Sequence, residues 1–161
     1  MARNDEINIK PSLLDRLLDD EPSVSQEPEH RRHHTVQQLK KSVARDLEAL
    51  LNTRQEMLSE LPEEFVELNQ ALVTYGLPDF TSMNLLSVAD RNRIRRSLEN
   101  TVTTFEPRLQ NVRVVIEDSQ NDRTLRFRIE AFLHVEPAAE SVTFDAVLRL
   151  TTKEYVIQGQ R

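Results

Sequence analysis

Apolar residues fall into two kinds of repeat along this chain, helical in the first two thirds and alternating in the last. From Thr35 onward, Val36, Leu39, Val43, Leu47, Leu50 and Leu51 recur at spacings of three and four, with Lys40, Lys41, Arg45 and Glu48 between them. That stripe predicts an amphipathic helix over Thr35 to about Met57, with Thr35 as its cap. A second stripe, Ile94, Leu98, Val102 and Phe105, predicts a helix opened by Ser87, with Asp90 three residues on in an approximate capping box. Pro107 has no N–H and disfavours helical backbone in the residue before it, so this helix must finish near Phe105.

Beyond that stop the period changes to two. Val112, Val114 and Ile116 alternate with Arg113, Val115 and Glu117. Across the turn cluster Asp118 to Asp122, residues Leu125, Phe127, Ile129, Ala131, Leu133 and Val135 share one face, opposite Arg126, Arg128, Glu130, Phe132 and His134. After EPAAES, residues Val142, Phe144, Ala146, Leu148 and Leu150 repeat the pattern, and Lys153 to Ile157 adds a short fourth run. Polar residues on the far face fit an antiparallel sheet packed on helices through one side. The expected class is α+β, with N-terminal helices on one face of a mainly antiparallel three- to four-stranded meander.

Two stretches escape this scheme. In SLLDRLL, residues 12–18, Leu13, Leu14, Leu17 and Leu18 stand at helical spacing behind Ser12, a natural cap. A helix so short is unstable alone, so it must dock on this domain or on a partner. The acidic, proline-punctuated DDEPSVSQEPEH that follows reads as a linker. Residues 1–34 are therefore expected to form a flexible segment with a docking helix, and 35–161 a single domain. In YGLPDFTSMNLLS, residues 75–87, Gly76 and Pro78 rule out a regular helix, while Tyr75, Leu77, Phe80, Leu85 and Leu86 are too apolar for a free loop. This loop should pack on the domain.

Composition narrows the chemistry. The chain has 161 residues, a net charge of −6, two glycines and no cysteine. No disulfide or thiolate chemistry is available, and two glycines cannot build a phosphate-binding loop. No apolar run approaches the about 18 residues of a membrane span, and the N-terminus lacks the apolar core of a signal peptide. The negative charge argues against general nucleic-acid binding, although RNRIRR, residues 91–96, is a local basic patch. His30, His33 and His34 stand beside Arg31 and Arg32, which repel a cation, and no carboxylate cluster completes a metal site. No cofactor or metal is expected. A glycosidase needs two carboxylates. Glu106 is the candidate acid, but Glu63, Asp79 and Asp118, its candidate partners, look like solvated surface. A Glu106 that pairs with Arg108 at the helix end is the better reading; were that pair exposed, it would be worth about 1 kcal/mol or less, and alanine at either position would change the melting temperature little.

These residues carry a resemblance. SLLDRLLDDEP (12–22), VARDLEALLNTR (43–54), YGLPDFTSMNLLS (75–87), FEPRLQNVRV (105–114) and the strands LRFRIEAFL and VTFDAVLRL make the chain resemble the TssE family, baseplate subunits of the type VI secretion system. That family sits among the lysozyme-like wedge proteins of contractile-phage baseplates. The Glu-Pro-Arg triplet, the Y-G-L-P-D-F loop and the leucine segment are its most specific marks, and the last points to secretion-system members over those of a phage or phage-like particle. The resemblance implies a cytoplasmic, non-enzymatic wedge component in a baseplate docked at the inner-membrane complex. Its implied partners are wedge subunits of the TssF, TssG and TssK type and sheath proteins of the TssB and TssC type, with neither nucleic acid nor membrane insertion. Glu106, Pro107 and Arg108 would form one contact site and Leu13, Leu14, Leu17 and Leu18 another. At the C-terminal sheet edge, Tyr155, Val156 and Ile157, or else the opposite edge of the same sheet, would accept a sheath strand.

Overall fold

A computed structural model describes residues 9–18, 35–55, 67–68, 71–80, 82–117, 124–135, 139–149 and 154–160. The expected flexible linker, His30, His33, His34, Glu63, Asp118, Leu150, Lys153 and most residues of the three inter-strand turns lie outside the described residues. The elements run α1 (Leu13–Leu17), α2 (Val36–Asn52), a 3₁₀ turn (Leu72–Thr74), α3 (Val88–Phe105) and four strands. These are β1 (Leu109–Ile116), β2 (Thr124–Leu133), β3 (Glu140–Arg149) and β4 (Glu154–Gln160), antiparallel in the order β1-β2-β3-β4. The class is α+β with a four-stranded meander, as the change of period predicts.

Both long helices start where their caps stand. Thr35 and Gln38 close a reciprocal capping box on α2. Ser87 accepts from the Asp90 N–H on α3, but the Asp90 carboxylate turns back to the Asn84 N–H instead of completing the box. Their apolar stripes meet the sheet: Val43, Leu47, Ile94, Leu98 and Val102 are fully buried against Phe127, Ile129, Leu133 and Phe144. α2 lies toward β4 and α3 toward β1, so each helix also reaches one edge of the sheet.

Three expectations need correction. α2 ends at Asn52, not near Met57. Thr53 turns extended there because its carbonyl accepts from the Leu77 N–H at 2.8 Å, and the Gln55 N–H returns a bond to the Leu77 carbonyl at 2.8 Å. Lys40, which the periodicity sets off the buried stripe, is itself buried and reaches Glu140 at 2.7 Å; its aliphatic stem lies in the packing while the ammonium meets a carboxylate at the rim. Leu86 is exposed, although Leu77 and Phe80 of the same loop are buried as expected. Gly76 is essential to that packing. Its φ is +107°, and a Cβ there would stand 2.4 Å from the Thr53 carbonyl oxygen.

Candidate functional site: the helix–strand corner and the segment tied to it

The corner between α3 and β1 is built by three residues. Glu106 caps α3 in a non-helical conformation, its N–H bonded to the Val102 carbonyl at 2.9 Å. Its own carbonyl accepts from Leu109 at 3.0 Å, closing the turn around exposed Pro107. Arg108 then enters the sheet margin, its carbonyl accepting from His134 N–H at 2.8 Å.

The side chains of Glu106 and Arg108 face one another across the proline. Arg108 Nε donates to Glu106 Oε1 at 2.6 Å and Nη2 to Oε2 at 2.5 Å, a two-point fork in which both carboxylate oxygens are occupied. Glu106 is 4% exposed, so this is a buried pair. The exposed arrangement, for which a weak contact and little change in melting temperature are expected, is not the one observed: the carboxylate is turned inward. At the foot of α3 it faces the negative end of the helix, and the guanidinium offsets that field.

Arg108 extends the cluster. Its Nη2 also meets Asp46 Oδ2 at 2.7 Å, and Nη1 reaches Ser42 Oγ at 3.3 Å. Asp46 takes two further bonds from Arg45, and Arg45 Nη2 continues to Asp15 Oδ1 at 2.8 Å. Ser42 Oγ is 2.8 Å from both oxygens of Asp15, whose other partners are the Ser12 hydroxyl and N–H. A continuous polar chain therefore runs from the Glu-Pro-Arg corner through α2 to α1. Burial opposes ionisation of Asp15, but hydrogen bonds from Ser12, Ser42 and Arg45 outweigh it and hold the carboxyl well below the usual range. Burial likewise opposes the charge on Arg108, and Glu106 and Asp46 more than compensate. Tyr75, whose ring packs edge-on against Phe105 at 5.2 Å, has its phenol pushed up by burial and by the nearby charges of Asp46 and Glu106.

α1 is thus anchored through its polar side. Asp15 and the core contact of Ile9 hold this segment on the domain. None of the helix's residues is buried, and Leu13 and Leu17 are each 73% exposed, Leu14 49% and Leu18 48%. The structure therefore brings the Glu106 corner and α1 into one network, while the four leucines stay partly or largely exposed and take no part in it. Tyr155, Val156 and Ile157 belong to β4 at the far edge. Tyr155 is buried against Phe127, and its N–H and C=O are both bonded to Asn52 of α2. The Ile157 N–H meets Glu48 at 3.3 Å.

Asp15, Ser42, Arg45 and Asp46 were missed as site residues. Their signal was present: Ser42, Arg45 and Asp46 occupy neighbouring positions on one helix face, and Asp15 is the lone carboxylate within the leucine segment. As for hydrolysis, Glu106 offers both oxygens as acceptors to Arg108, and Asp79 lies 3.5 Å from Arg54. Among the described residues no group of three or more His, Asp or Glu is arranged to hold a metal ion, and no helix is long and apolar enough to cross a membrane.

The family model described as baseplate wedge protein gp25 matches residues 37–138, from the first turn of α2 to just beyond β2, with the whole Glu-Pro-Arg corner inside it. The chain belongs to the baseplate wedge protein gp25 family. It is a component of a phage or phage-like baseplate, and the family's role is structural, one of contact with other baseplate proteins. No curated protein matches the chain. Within this wedge-family chain, α1, β3 and β4 lie outside the matched residues.

Proposed function

We propose that this chain is a TssE-type subunit of a type VI secretion baseplate, which joins other wedge subunits and helps start the contractile sheath. It would work in the cytoplasm, in a baseplate docked at the inner-membrane complex. The observation that carries this reading is the tether between α1 and the Glu-Pro-Arg corner. A short helix gains nothing by holding Leu13 and Leu17 in water, since each forgoes most of the roughly 1.5–3 kcal/mol that full burial of a leucine contributes. Here Asp15 anchors the opposite side of that helix, so the leucines are presented from a fixed base. A groove on a wedge subunit of the TssF, TssG or TssK type is the occupant that this presentation suits. Glu106 and Arg108 set the angle of the corner beneath it, and exposed Pro107 is the part of the triplet open to direct contact. The sheet supplies the second interface, through strand addition by a sheath protein of the TssB or TssC type at one edge.

A pull-down from cytosol tests this. Wild type should recover wedge subunits and sheath protein. Leu13→Ser/Leu17→Ser should lose the wedge subunits with the melting temperature unchanged, because neither side chain is buried. Undiminished recovery by that variant would remove the docking role of α1.

A further inference from the structure

Strand addition leaves open which edge is used, and the two edges differ. On β4 the outward N–H and C=O of Tyr155 are both taken by Asn52, and the outward N–H of Ile157 by Glu48. A strand arriving there must break all three bonds beneath α2. On β1 the first half of the edge is interrupted by a bulge at Asn111, where φ is +53° and the register slips between Gln110 and Arg113. Beyond the bulge the Glu117 N–H bonds to the Arg126 carbonyl, so by antiparallel alternation Arg113 and Val115 face β2, and Val114 and Ile116 face outward. Among the described residues Glu99 meets this edge: Val114 N–H donates to Glu99 Oε1 at 2.9 Å, and Arg95 holds Glu99 in place at 2.8–2.9 Å.

A groove of about 490 Å³ wraps this half of the edge, lined by Val88, Arg91, Arg95, Arg113, Val114 and Ile116 among others. Three of its described lining residues, Arg91, Arg95 and Arg113, are arginines, and Arg95 is the one that holds Glu99, on a chain whose net charge is −6. Two of those arginines belong to RNRIRR, the basic patch that the wedge assignment leaves without a role. Val88 adds an exposed apolar surface, 63% accessible.

We infer that the β1 edge from Val114 to Ile116, with the arginine groove beside it, is the docking site for an extended acidic segment of a partner protein, and that Glu99 holds the place of that segment's carbonyl oxygen until it arrives. Glu99 suits the task because it satisfies an edge N–H that would otherwise invite indiscriminate pairing. Its departure costs one amide bond, and the negative charge it surrenders beside Arg95 is replaced by the acidic side chains of the incoming strand. This inference rests on the strand-addition reading above for the partner's identity, but the groove can be tested without any sheath protein.

The probes are two fluorescein-labelled, end-capped peptides of about ten residues, alternating valine with glutamate or with lysine. The full-length chain should bind the acidic peptide and not the basic one, and salt should weaken the binding. Glu99→Ala should tighten it, and Arg91→Glu/Arg113→Glu should weaken it about tenfold. Amide exchange should slow at Val114 and Ile116, not at Tyr155 and Ile157. Equal binding of both peptides, no response to Glu99→Ala, or protection on β4 would overturn the proposal. So would a single-stranded oligonucleotide that outcompetes the peptide, or a Glu99→Ala variant that dimerises through β1 in preference to binding it. In sheath polymerisation, Ile116→Pro should block and Ile157→Pro should not; both remove an outward N–H and spare the ladder inside the sheet. If both prolines are tolerated while the acidic peptide still binds at β1, sheath strand addition fails and the groove stands.

Discussion

Glu106→Ala is the perturbation that the corner makes most specific. It removes both acceptors from the Arg108 fork and leaves the guanidinium with Asp46 and a long contact to Ser42. Breaking a fully buried ion pair by deleting one member costs about 3–5 kcal/mol. Arg108 is 24% exposed and keeps one carboxylate, so the expected cost is nearer ~2 kcal/mol once solvent screening is allowed for. For a chain of this size, each kcal/mol lowers the melting temperature by about 2–4 °C, which gives a fall of roughly 4–8 °C. Arg108→Ala should cost at least as much, since it leaves the Glu106 carboxylate buried without its partner. A double-mutant cycle followed by thermal unfolding isolates the pair, and a coupling of about 1 kcal/mol or more is expected. Coupling below ~0.5 kcal/mol, or a melting temperature within about 1 °C of wild type, would refute the reasoning. Assembly assays on these variants must be run well below their own transitions, because loss of wedge binding in a partly unfolded protein says nothing about contact.

Other consequences follow from single contacts. Gly76→Ala places a methyl 2.4 Å from the Thr53 carbonyl oxygen at a φ of +107°, so destabilisation of about 2 kcal/mol or more is expected in denaturant titration. The Asp15 carboxyl is depressed, so its contribution is complete above the ordinary aspartate pKa of about 3.9 and disappears only as pH falls through the lower folded value. The hydrogen-exchange protection factor of the Arg16 amide, bonded to the Ser12 carbonyl, should therefore stay constant from neutral pH down to about 4, and Asp15→Asn should accelerate limited trypsin cleavage after Arg16 at neutral pH. Purified protein should not cleave a chromogenic chitooligosaccharide; turnover that Glu106→Gln abolishes would reverse the non-enzymatic reading.

Periodicity was sufficient wherever one face of an element meets one core. The α3 stripe, the Pro107 stop and the inward faces of β2 and β3 needed no knowledge beyond the order of apolar residues, because burial of those positions is what holds the elements together. It failed where a residue serves two environments. Lys40 is polar by its tip and buried along its stem, and a pattern read one letter at a time assigns it to the wrong side. Thr53 ends α2 for a reason some twenty residues away in sequence, in the loop at Leu77. No local signal encodes a bridge to a partner so distant.

The candidate site was legible in part for the same reason. Glu106 and Arg108 lie two residues apart, so their pairing is a local matter that the tight turn around Pro107 permits. Whether the pair is buried depends on what closes over it, and that is α2, supplied by residues more than sixty positions upstream. Burial in turn changes the meaning of the triplet. An exposed pair would be a surface for partners to grip, and its loss would be felt only in assembly. A buried pair fixes the angle between α3 and β1, and through Asp46, Arg45 and Ser42 it also fixes the seat on which Asp15 holds α1. Partners that read the leucines of α1 and partners that pair with the β1 edge would then depend on the same two residues without touching either of them.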